Sequence, residues 1–446
     1  MLFSNRYLIR MFVPLLLEMI LSRTIGFVDA LMVAGAGESV LSGVSLVGSI
    51  NELSHYLFSA MTTGGSVIVA QILGTRDYEK TNHASKQLIW SSFLIAFIIM
   101  AFAMIFHKQI LSLAFGKVDA DVMKSASVYF FIMVMGYPLS AISDSCSAIL
   151  RIAGDTKTTM YISLFGNLLN VCGNAILIFG FHLGAAGAAL ASLFTGVICC
   201  SLRIFIMHKK SNTIYIDNIF RYKPDFSLVK KICNIGIPSG IDNSLSQFGK
   251  VLTVSLISGF GTYQIAANTV AGTLTGFQLI PGGAVGVIMV SIVGQCIGAG
   301  EKEQAKYYAK KLLGAIYVLN IVVALIMSIF AHKLVAMYHL SPESSEIAIN
   351  LVYLHSIFVC ILWPAAFSIN GAFRAASDVK FSMVVSVATM WICRVGLSFV
   401  FGKYMGMGIY GVWYAMIFHW FIRALIFGTR FIRGTWLKKY EKLKQA

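Results

Sequence analysis

The sequence predicts an all-α, multi-spanning membrane protein with about twelve transmembrane helices arranged in two six-helix lobes. Three observations support this prediction: an apolar composition, basic residues concentrated in alternate loops, and a repeat that relates the two halves of the chain. Of the 446 residues, 57% are hydrophobic and only 12% are charged, and the mean hydropathy is +0.78. Because so few polar residues cannot cover a soluble globule, lipid is the expected solvent.

The formal net charge of +16 raises the question of whether the partner is a nucleic acid or a membrane. The distribution of the basic residues answers it, because they occur in every second loop. Basic residues lie in the loops at 74–86, 151–157 and 203–231, whereas the loops at 35–40, 180–184 and 259–264 contain no Lys or Arg. This positive-inside pattern predicts a plasma-membrane protein with both termini in the cytoplasm and no nucleic-acid partner. The basic tail is expected to contact anionic membrane lipids.

The second half of the chain repeats the first at a constant spacing over about ninety positions. Three matched pairs that are each 224 residues apart are Pro14 with Pro238, Gln71 with Gln295, and Gly74 with Gly298. Further on, where the spacing drifts by a residue or two, the RIAGD segment that begins at Arg151 has its counterpart in the RAASD segment that begins at Arg374. Because each half holds an even number of spans, both halves enter from the cytoplasm and the repeat is parallel.

Six spans are predicted in each lobe, at 9–34, 40–72, 87–106, 122–150, 158–180 and 184–207, and at 229–258, 264–296, 309–331, 345–372, 380–401 and 407–429. The chain is therefore divided into an N-terminal lobe at 1–207, a cytoplasmic linker at 208–228, a C-terminal lobe at 229–429 and a basic cytoplasmic tail at 430–446. The paired prolines, Pro14 and Pro238, are expected to bend the first helix of each lobe at the same depth. In transporters built from such repeats, the solute site lies between the repeats near the membrane midplane.

Motifs for nucleotide hydrolysis or enzymatic catalysis are absent from the sequence. It contains no G-x-x-x-x-G-K-[ST] phosphate-binding loop, no H-E-x-x-H and no G-x-S-x-G. Its eight cysteines lie in apolar segments with no C-x-x-C spacing. We therefore expect no enzyme and no cofactor. Transport would be driven by an ion gradient or would be passive.

Ionisable residues inside membrane spans cost roughly 2.5–3.5 kcal/mol each on insertion scales, so they are functional candidates. The acidic residues inside the predicted spans are Glu18, Asp29, Glu52, Asp144 and Asp242. We expect them to face a substrate cavity. Under the repeat, Glu18 matches Asp242, whereas Asp29 matches Thr253. A cation site at Asp29 would therefore belong to the first lobe alone.

Amide side chains accompany Asp29 in the first lobe. Residues eleven apart return to nearly the same face of an α-helix, as Glu18 and Asp29 do, and the fifth span carries Asn167, Asn170 and Asn174 as a polar stripe. A carboxylate with amide and hydroxyl oxygens suits a hard monovalent cation, and a desolvated carboxylate can take up a proton instead. Both H⁺ and Na⁺ therefore remain open as the coupling ion. Alternatively, the amides hold neighbouring helices together by hydrogen bonds.

Three basic residues are assigned to the interior of the spans, namely Arg23, Lys250 and Arg394, and each is expected to pair with a carboxylate or a carbonyl. Lys250 is a possible partner for Asp242, two turns away on the same helix. The intramembrane histidines His55 and His355 are interpreted as side chains that hydrogen-bond a neighbour.

Five segments, in this order, resemble the multidrug and toxic compound extrusion (MATE) family, and the likeness covers nearly the whole chain. They are FVDALMVAGAG from Phe27, ILRIAGDTKT from Ile149, NLLNVCGNAILIFG from Asn167, GAAGAALAS from Gly184 and VGQCIGAGE from Val293.

The resemblance implies a V-shaped, twelve-helix antiporter that exports organic cations or other amphipathic small solutes in exchange for Na⁺ or H⁺. The family's first-helix aspartate falls on Asp29, its helix-5 polar ligands on Asn170 and Asn174, and a helix-6 hydroxyl on Ser192. Some members carry a second aspartate at the position of Asn174, which leaves the coupling ion open. In the second lobe, Gln247 occupies the helix-7 region where one branch of the family uses an acid, and we count it among the cavity residues. A monomer is expected.

Two other functions compete with drug export. One is the flipping of a lipid-linked saccharide or cell-wall precursor, which would favour a wide and strongly basic cavity. The count of three intramembrane cations against five acids argues against it. The other is a membrane scaffold or sensor that transports nothing, for which the buried acids would be costly and without purpose.

Overall fold

The computed structural model describes residues 2–116, 118–210, 213–217 and 223–437, and within these residues the chain forms helices and no β-strand. The described chain divides into two compact units, of which the first is Phe3–Gly240 and the second begins at Ile241. This division falls inside a helix, whereas the predicted linker lies at 208–228. Parts of the predicted linker and of the predicted tail, at 211–212, 218–222 and 438–446, lie outside the described residues.

The first unit consists of consecutive helices with short connections. They are α1 (Asn5–Ala34), α2 (Glu38–Gly74), α3 (Tyr78–Ile105), α4 (His107–Phe115), α5 (Ala120–Met135), α6 (Tyr137–Ile152), α7 (Thr156–Asn174), α8 (Gly184–Met207) and the first part of α9 (Phe226–Ser258). A π-helical turn at Ala175–Gly180 extends α7.

The second unit repeats this plan with more irregular helices. It contains the rest of α9, then α10 (Thr262–Gln278), α11 (Ile280–Gly298), α12 (Lys302–Ala336), α13 (Pro342–Ile361), α14 (Ile369–Ala375), α15 (Val379–Thr389) and α16 (Gly408–Ile432). Three π-helical segments follow α13 and α15, at Pro364–Ser368, Met390–Gly396 and Phe399–Tyr404.

The prediction of an all-α polytopic fold is confirmed. Among the described residues, ten helices are long and apolar enough to cross a membrane, or eleven if α5 and α6, which meet at an angle of 47°, form one span. The predicted span at 264–296 is interrupted between α10 and α11, where Pro281 occupies the first turn of α11. Proline lacks the N–H that would continue the preceding helix, and its ring clashes with the turn before it. By contrast, Pro14 and Pro238 lie inside the continuous helices α1 and α9.

Aspartates outside the spans set where helices begin. Asp155 of the RIAGD segment accepts a hydrogen bond from the backbone N–H of Thr158 (3.1 Å), which caps α7. Gly154 before it has a φ of +89°, which favours glycine. Asp225 accepts from the backbone N–H of Leu228 (3.1 Å) at the start of α9, and this hydrogen bond lowers the pKa of the Asp225 carboxyl.

Glycines bring α2 and the start of α9 into backbone contact. A Cβ added at Gly64 would overlap the carbonyl oxygen of Ile232 and would lie 2.7 Å from the backbone nitrogen of Gly236. A Cβ added at Gly236 would lie 2.5 Å from the carbonyl oxygen of Ala60. Because backbone atoms cannot move aside as a flexible side chain can, only glycine fits at these crossing points.

Gly64→Ala is therefore expected to destabilise the protein by about 1–3 kcal/mol, the usual cost of overpacking a close contact. The measurement is the midpoint of thermal unfolding of the purified protein in detergent. Gly48→Ala, on the same helix, is the matched control because a Cβ there meets nothing within 4 Å. Equal unfolding midpoints for the two variants would contradict the assignment of Gly64 to a backbone contact.

Candidate functional site

A polar cavity of about 410 Å³ lies among α1, α2, α6, α7 and α8 of the first unit. Two aspartates, a histidine and an arginine line it, namely Asp29, Asp144, His55 and Arg203, and the amides and hydroxyls include Asn167, Asn170 and Ser192. A smaller cavity of about 150 Å³ shares part of this lining, including His55 and Ser192. Two of the five acids that were expected to face a cavity, Asp29 and Asp144, therefore line this one.

The four predicted coupling residues form one continuous chain of contacts. Asn174 donates a hydrogen bond to the Asp29 carboxylate and lies 3.3 Å from the Asn170 amide oxygen, and Asn170 donates to the Ser192 hydroxyl (3.2 Å). Three helices supply these groups, since Asp29 is on α1, the asparagines are on α7 and Ser192 is on α8. Their role in coupling stays a prediction.

The oxygen atoms of these four contacting residues are of the kinds that bind a small cation. Asn174 is fully buried, and its amide oxygen has no hydrogen-bond partner among the described residues. A carboxylate, an unpartnered amide oxygen and a hydroxyl are the oxygen ligands that hard cations take in proteins. A half-buried carboxylate that faces a cavity can also accept a proton. The chemistry of these groups therefore suits Na⁺ or H⁺ binding at Asp29.

Contacts between α1 and α7 explain why the spacing of residues in the sequence could predict that Asp29 and Asn174 meet. Glu18 accepts a hydrogen bond from Ser163, and Asp29 accepts one from Asn174, so the contact recurs eleven residues later on both helices. Two helices that run side by side keep the same faces together over three turns. The shared face that the sequence predicted for Glu18 and Asp29 is therefore present.

Glu18 nevertheless has a different environment from Asp29. It is buried, lies 2.8 Å from the Arg151 guanidinium and accepts hydrogen bonds from Ser163 (2.8 Å) and Thr159 (3.3 Å). It is not part of the lining of either cavity described above. Glu18 therefore holds α1 to α6 and α7, and its assignment to a substrate cavity stays a prediction.

His55 and Asp144 form a pair that the sequence analysis did not anticipate. The His55 ring nitrogen lies 3.0 Å from the Asp144 carboxylate, and both side chains are partly exposed to the cavity. They are 89 residues apart on α2 and α6, so no local pattern could have paired them. Glu52, one turn before His55, is exposed, accepts a hydrogen bond from Tyr56 (3.3 Å) and is not part of the cavity lining.

The count of three intramembrane cations was wrong. Arg203 on α8 is buried, lines the cavity and donates hydrogen bonds to Ser143 (2.6 Å) and Ser163 (3.1 Å). Arg423 on α16 is also buried. Both positions fall within the predicted spans 184–207 and 407–429, so the sequence contained the signal that would have identified them.

In the second unit, Asp242 lies among arginines. It is buried on α9, accepts a hydrogen bond from Ser246 (3.4 Å) and lies within electrostatic range of Arg423 and Arg374. Lys250, the partner that the sequence analysis proposed for Asp242, is exposed, and that pairing stays a prediction. Since Asp242 matches Glu18 and Arg374 matches Arg151, each unit places an acid of its first helix beside the arginine of its RIAGD or RAASD segment.

Gln247, the remaining predicted cavity residue, is half-buried on α9. It is not part of the lining of the two cavities described in the first unit. Its assignment to a substrate cavity therefore stays a prediction.

The sequence was compared with protein families and with known proteins. A family model described as MatE matches residues 14–176 and 238–400, one match in each half of the repeat. The chain is 26% identical to "Uncharacterized transporter YisQ" of Bacillus subtilis, over 96% of this chain and 94% of that protein. It is 23% identical to "Probable multidrug resistance protein NorM" of Thermotoga maritima, over 98% of this chain and 94% of that protein.

Solved structures share the fold over the whole chain. A crystal structure of a MATE protein in a bent conformation has a TM-score of 0.89 and 18% identity, and covers 99% of this chain and 97% of that one. A transporter from Pyrococcus furiosus, described as having a binding pocket of reverse polarity that suggests a different function, has a TM-score of 0.86 and 20% identity, over 97% and 96% of the two chains.

Proposed function

Because the chain belongs to the MatE family, we propose that it is a cation-coupled antiporter that exports amphipathic or cationic organic compounds by alternating access. The observation that carries this proposal is the continuous contact chain from Asp29 through Asn174 and Asn170 to Ser192, at a cavity of about 410 Å³. The name of the Thermotoga maritima relative, a multidrug resistance protein, supports the substrate class.

Competition between the coupling ion and the organic cation for the Asp29 carboxylate would couple entry of the ion to export of the organic cation. With Asp29 ionised, the cavity attracts an organic cation, and when Asp29 holds H⁺ or Na⁺ that attraction is lost. An ion and a substrate that each weaken the other's binding are linked by a coupling free energy of equal size in both directions. If the cavity opens to one side at a time, entry of the ion is then tied to exit of the substrate.

We further propose that the protein acts as a monomer in the plasma membrane, with both termini in the cytoplasm. The distribution of Lys and Arg over alternate loops supports the cytoplasmic placement of both termini. The basic tail would then lie against the anionic headgroups of the inner leaflet.

The coupling ion can be assigned with imposed gradients. Purified protein is reconstituted into liposomes that enclose a fluorescent organic cation such as ethidium, and either a Na⁺ jump or a pH jump is applied at constant membrane potential. We expect one of the two gradients to drive ethidium out of the vesicles and the other to have no effect beyond protein-free liposomes. Failure of both gradients would contradict ion-coupled export and would favour a scaffold or sensor.

The flippase alternative gains from the corrected number of cations, because Arg203 lines the cavity and Arg423 is buried in the second unit. In the first-unit cavity, however, the two carboxylates of Asp29 and Asp144 stand against one arginine and His55. That balance favours a cationic solute over a polyanionic lipid-linked one. If reconstituted protein moved a short-chain lipid-linked saccharide across the bilayer faster than it moved ethidium, the flippase hypothesis would be favoured over export of organic cations.

A further inference from the structure

Positive charge exceeds negative charge in the interior of the second unit. Arg374 and Arg394 are half-buried and Arg423 is buried in its helical segments, and Asp242 is the buried carboxylate within electrostatic range of Arg374 and Arg423. The other acids of the described part of this unit are at helix starts or are paired: Glu301, Glu303, Glu343 and Glu346 lie at the beginning of α12 and α13, and Asp378 bonds Arg430 (2.7 Å).

This imbalance is costly unless a negative group compensates it. A guanidinium stays protonated in proteins, so an arginine cannot escape burial by losing its charge. Burying an uncompensated charge in an apolar interior costs several kcal/mol even after relaxation. The second unit therefore contains a physical reason to attract an anion.

Hydrogen-bond donors at this place also lack acceptors. The Nε–H groups of Arg394 and Arg423 are buried and have no hydrogen-bond partner in the described part of the chain. Neither ring nitrogen of His419 has a partner there either, and one of the two is a donor in a neutral imidazole. Arg423 and His419 are 4% and 2% exposed, so more than nine-tenths of each side chain is buried. His419 lies within electrostatic range of both Arg423 and Arg394. These groups form what we call the arginine cluster: Arg394, His419 and Arg423.

Aromatic rings flank two members of the cluster, Arg423 and His419. The Arg423 guanidinium lies 4.4 Å from the Phe367 ring centroid and 4.9 Å from that of Phe427, and the Phe367 ring is 6.0 Å from His419. A guanidinium covered on its faces by rings still offers N–H groups along its edge, which is the geometry that binds carboxylate or phosphate. The rings would suit an organic group attached to the anion.

Internal comparison places one member of the cluster, Arg394, in the span that corresponds to the span of Asn170 and Asn174 in the first unit. The family model matches both halves at the same spacing, since 14–176 and 238–400 begin and end 224 residues apart. At that spacing Thr253 stands in place of Asp29. Arg394 lies in the π-helical segment Met390–Gly396 that follows the RAASD segment, and Asn170 lies in α7, which follows the RIAGD segment. The second unit therefore has a hydroxyl where the first has its carboxylate, and it has an arginine in the span that corresponds to the span of Asn170.

We propose that the arginine cluster is a binding site for an oxyanion, a carboxylate or phosphate carried by an amphipathic organic molecule. Arg394 and Arg423 would bind its oxygens, and His419 would donate a further hydrogen bond. Asp242 would compete with the ligand for Arg423 and so set its affinity. The site is a property of the second unit and does not depend on whether Asp29 couples transport to an ion.

The test is equilibrium binding of benzoate to the full chain in phosphatidylcholine nanodiscs, with no ion gradient, by isothermal titration calorimetry. Benzamide, which has nearly the same shape without the charge, is the ligand control. We expect benzoate to bind and benzamide not to bind. Arg394→Gln and Arg423→Lys should each weaken benzoate binding roughly tenfold or more, because the charge or the forked geometry is lost. Arg433→Gln, an exposed position after α16, should leave the affinity unchanged.

Asp242→Asn separates an anion site from a purely structural ion pair. It removes the competing carboxylate, so benzoate should bind roughly tenfold more tightly. A merely structural role predicts instead that every change in the cluster weakens binding or prevents folding. Asp29→Asn should not alter benzoate affinity, which keeps failure here distinct from failure of the proposed antiport.

Nanodiscs that contain phosphatidylglycerol distinguish the source of the oxyanion. Unchanged benzoate binding would indicate a free organic anion, whereas loss of benzoate binding, restored by removing phosphatidylglycerol, would indicate a lipid headgroup. Both results support an oxyanion site. The proposal is overturned if benzoate does not bind in phosphatidylcholine, or if Arg394→Gln and Asp242→Asn change its affinity in the same direction.

Discussion

Replacing Asp29 by asparagine is expected to slow ion-driven export at least tenfold while the protein remains folded. The amide is nearly isosteric with the carboxylate and can still accept the hydrogen bond that Asn174 donates. It cannot take up a proton, and it offers no net charge to Na⁺ or to an organic cation. Because opposite charges about 4 Å apart interact by about 4 kcal/mol in a partly buried site before desolvation costs, we expect ethidium efflux to slow by tenfold or more.

The measurement is the initial rate of gradient-driven ethidium efflux from proteoliposomes that contain equal amounts of folded protein. Asp121→Asn is the matched control, since Asp121 is an exposed acid in the first turn of α5, outside the cavity. Ser192→Ala should give an intermediate rate, because it removes one neutral oxygen and no charge. Wild-type efflux in Asp29→Asn would refute the assignment of coupling to this carboxylate.

Replacing Glu18 by glutamine is expected to cause the largest loss of stability. The change leaves the Arg151 guanidinium, 23% exposed, beside a neutral group in a place where its carboxylate partner is only 8% exposed. Removing one partner of a buried ion pair typically costs 3–5 kcal/mol, and the partial exposure of Arg151 reduces this to about 2–4 kcal/mol. The midpoint of thermal unfolding should fall accordingly.

A double-mutant cycle tests whether the cost arises from the pair. Glu18→Gln combined with Arg151→Met removes both charges, so the double variant should be more stable than the sum of the two single changes predicts. The matched control is Glu38→Gln, which alters an acid at the exposed start of α2. Additive effects of the two substitutions would show that Glu18 and Arg151 contribute independently of each other.

Several features of the site could be predicted from the sequence because they depend on position along a helix. The repeat showed that Asp29 has no acidic counterpart in the second lobe, where Thr253 takes its place, and the spacing of Asn170 and Asn174 placed both amides on one face of α7. The resemblance to a known family added Ser192. The structure brings these three residues and Asp29 into contact.

Other features could not be predicted, because they depend on which helices meet. The pairing of His55 with Asp144 joins α2 to α6, and the pairing of Glu18 with Arg151 joins α1 to α6. Glu18 and Asp29 share a helix face, yet one is engaged in an ion pair and the other lines a cavity. Periodicity states the direction in which a side chain points, but not what it meets there.

The sequence by itself determined that this chain crosses a membrane repeatedly, that its halves are related, and that a carboxylate in the first half has no counterpart in the second. Those conclusions follow from the composition, from the spacing of residues along single helices and from the internal repeat, all of which can be read without knowing which helices meet. The tertiary structure alone decided which charges are neutralised and which are left to bind something else. Compensation of a buried charge depends on distances between helices, so Glu18 is paired and Asp29 lines a cavity, whereas Arg394 and Arg423 retain donors without acceptors.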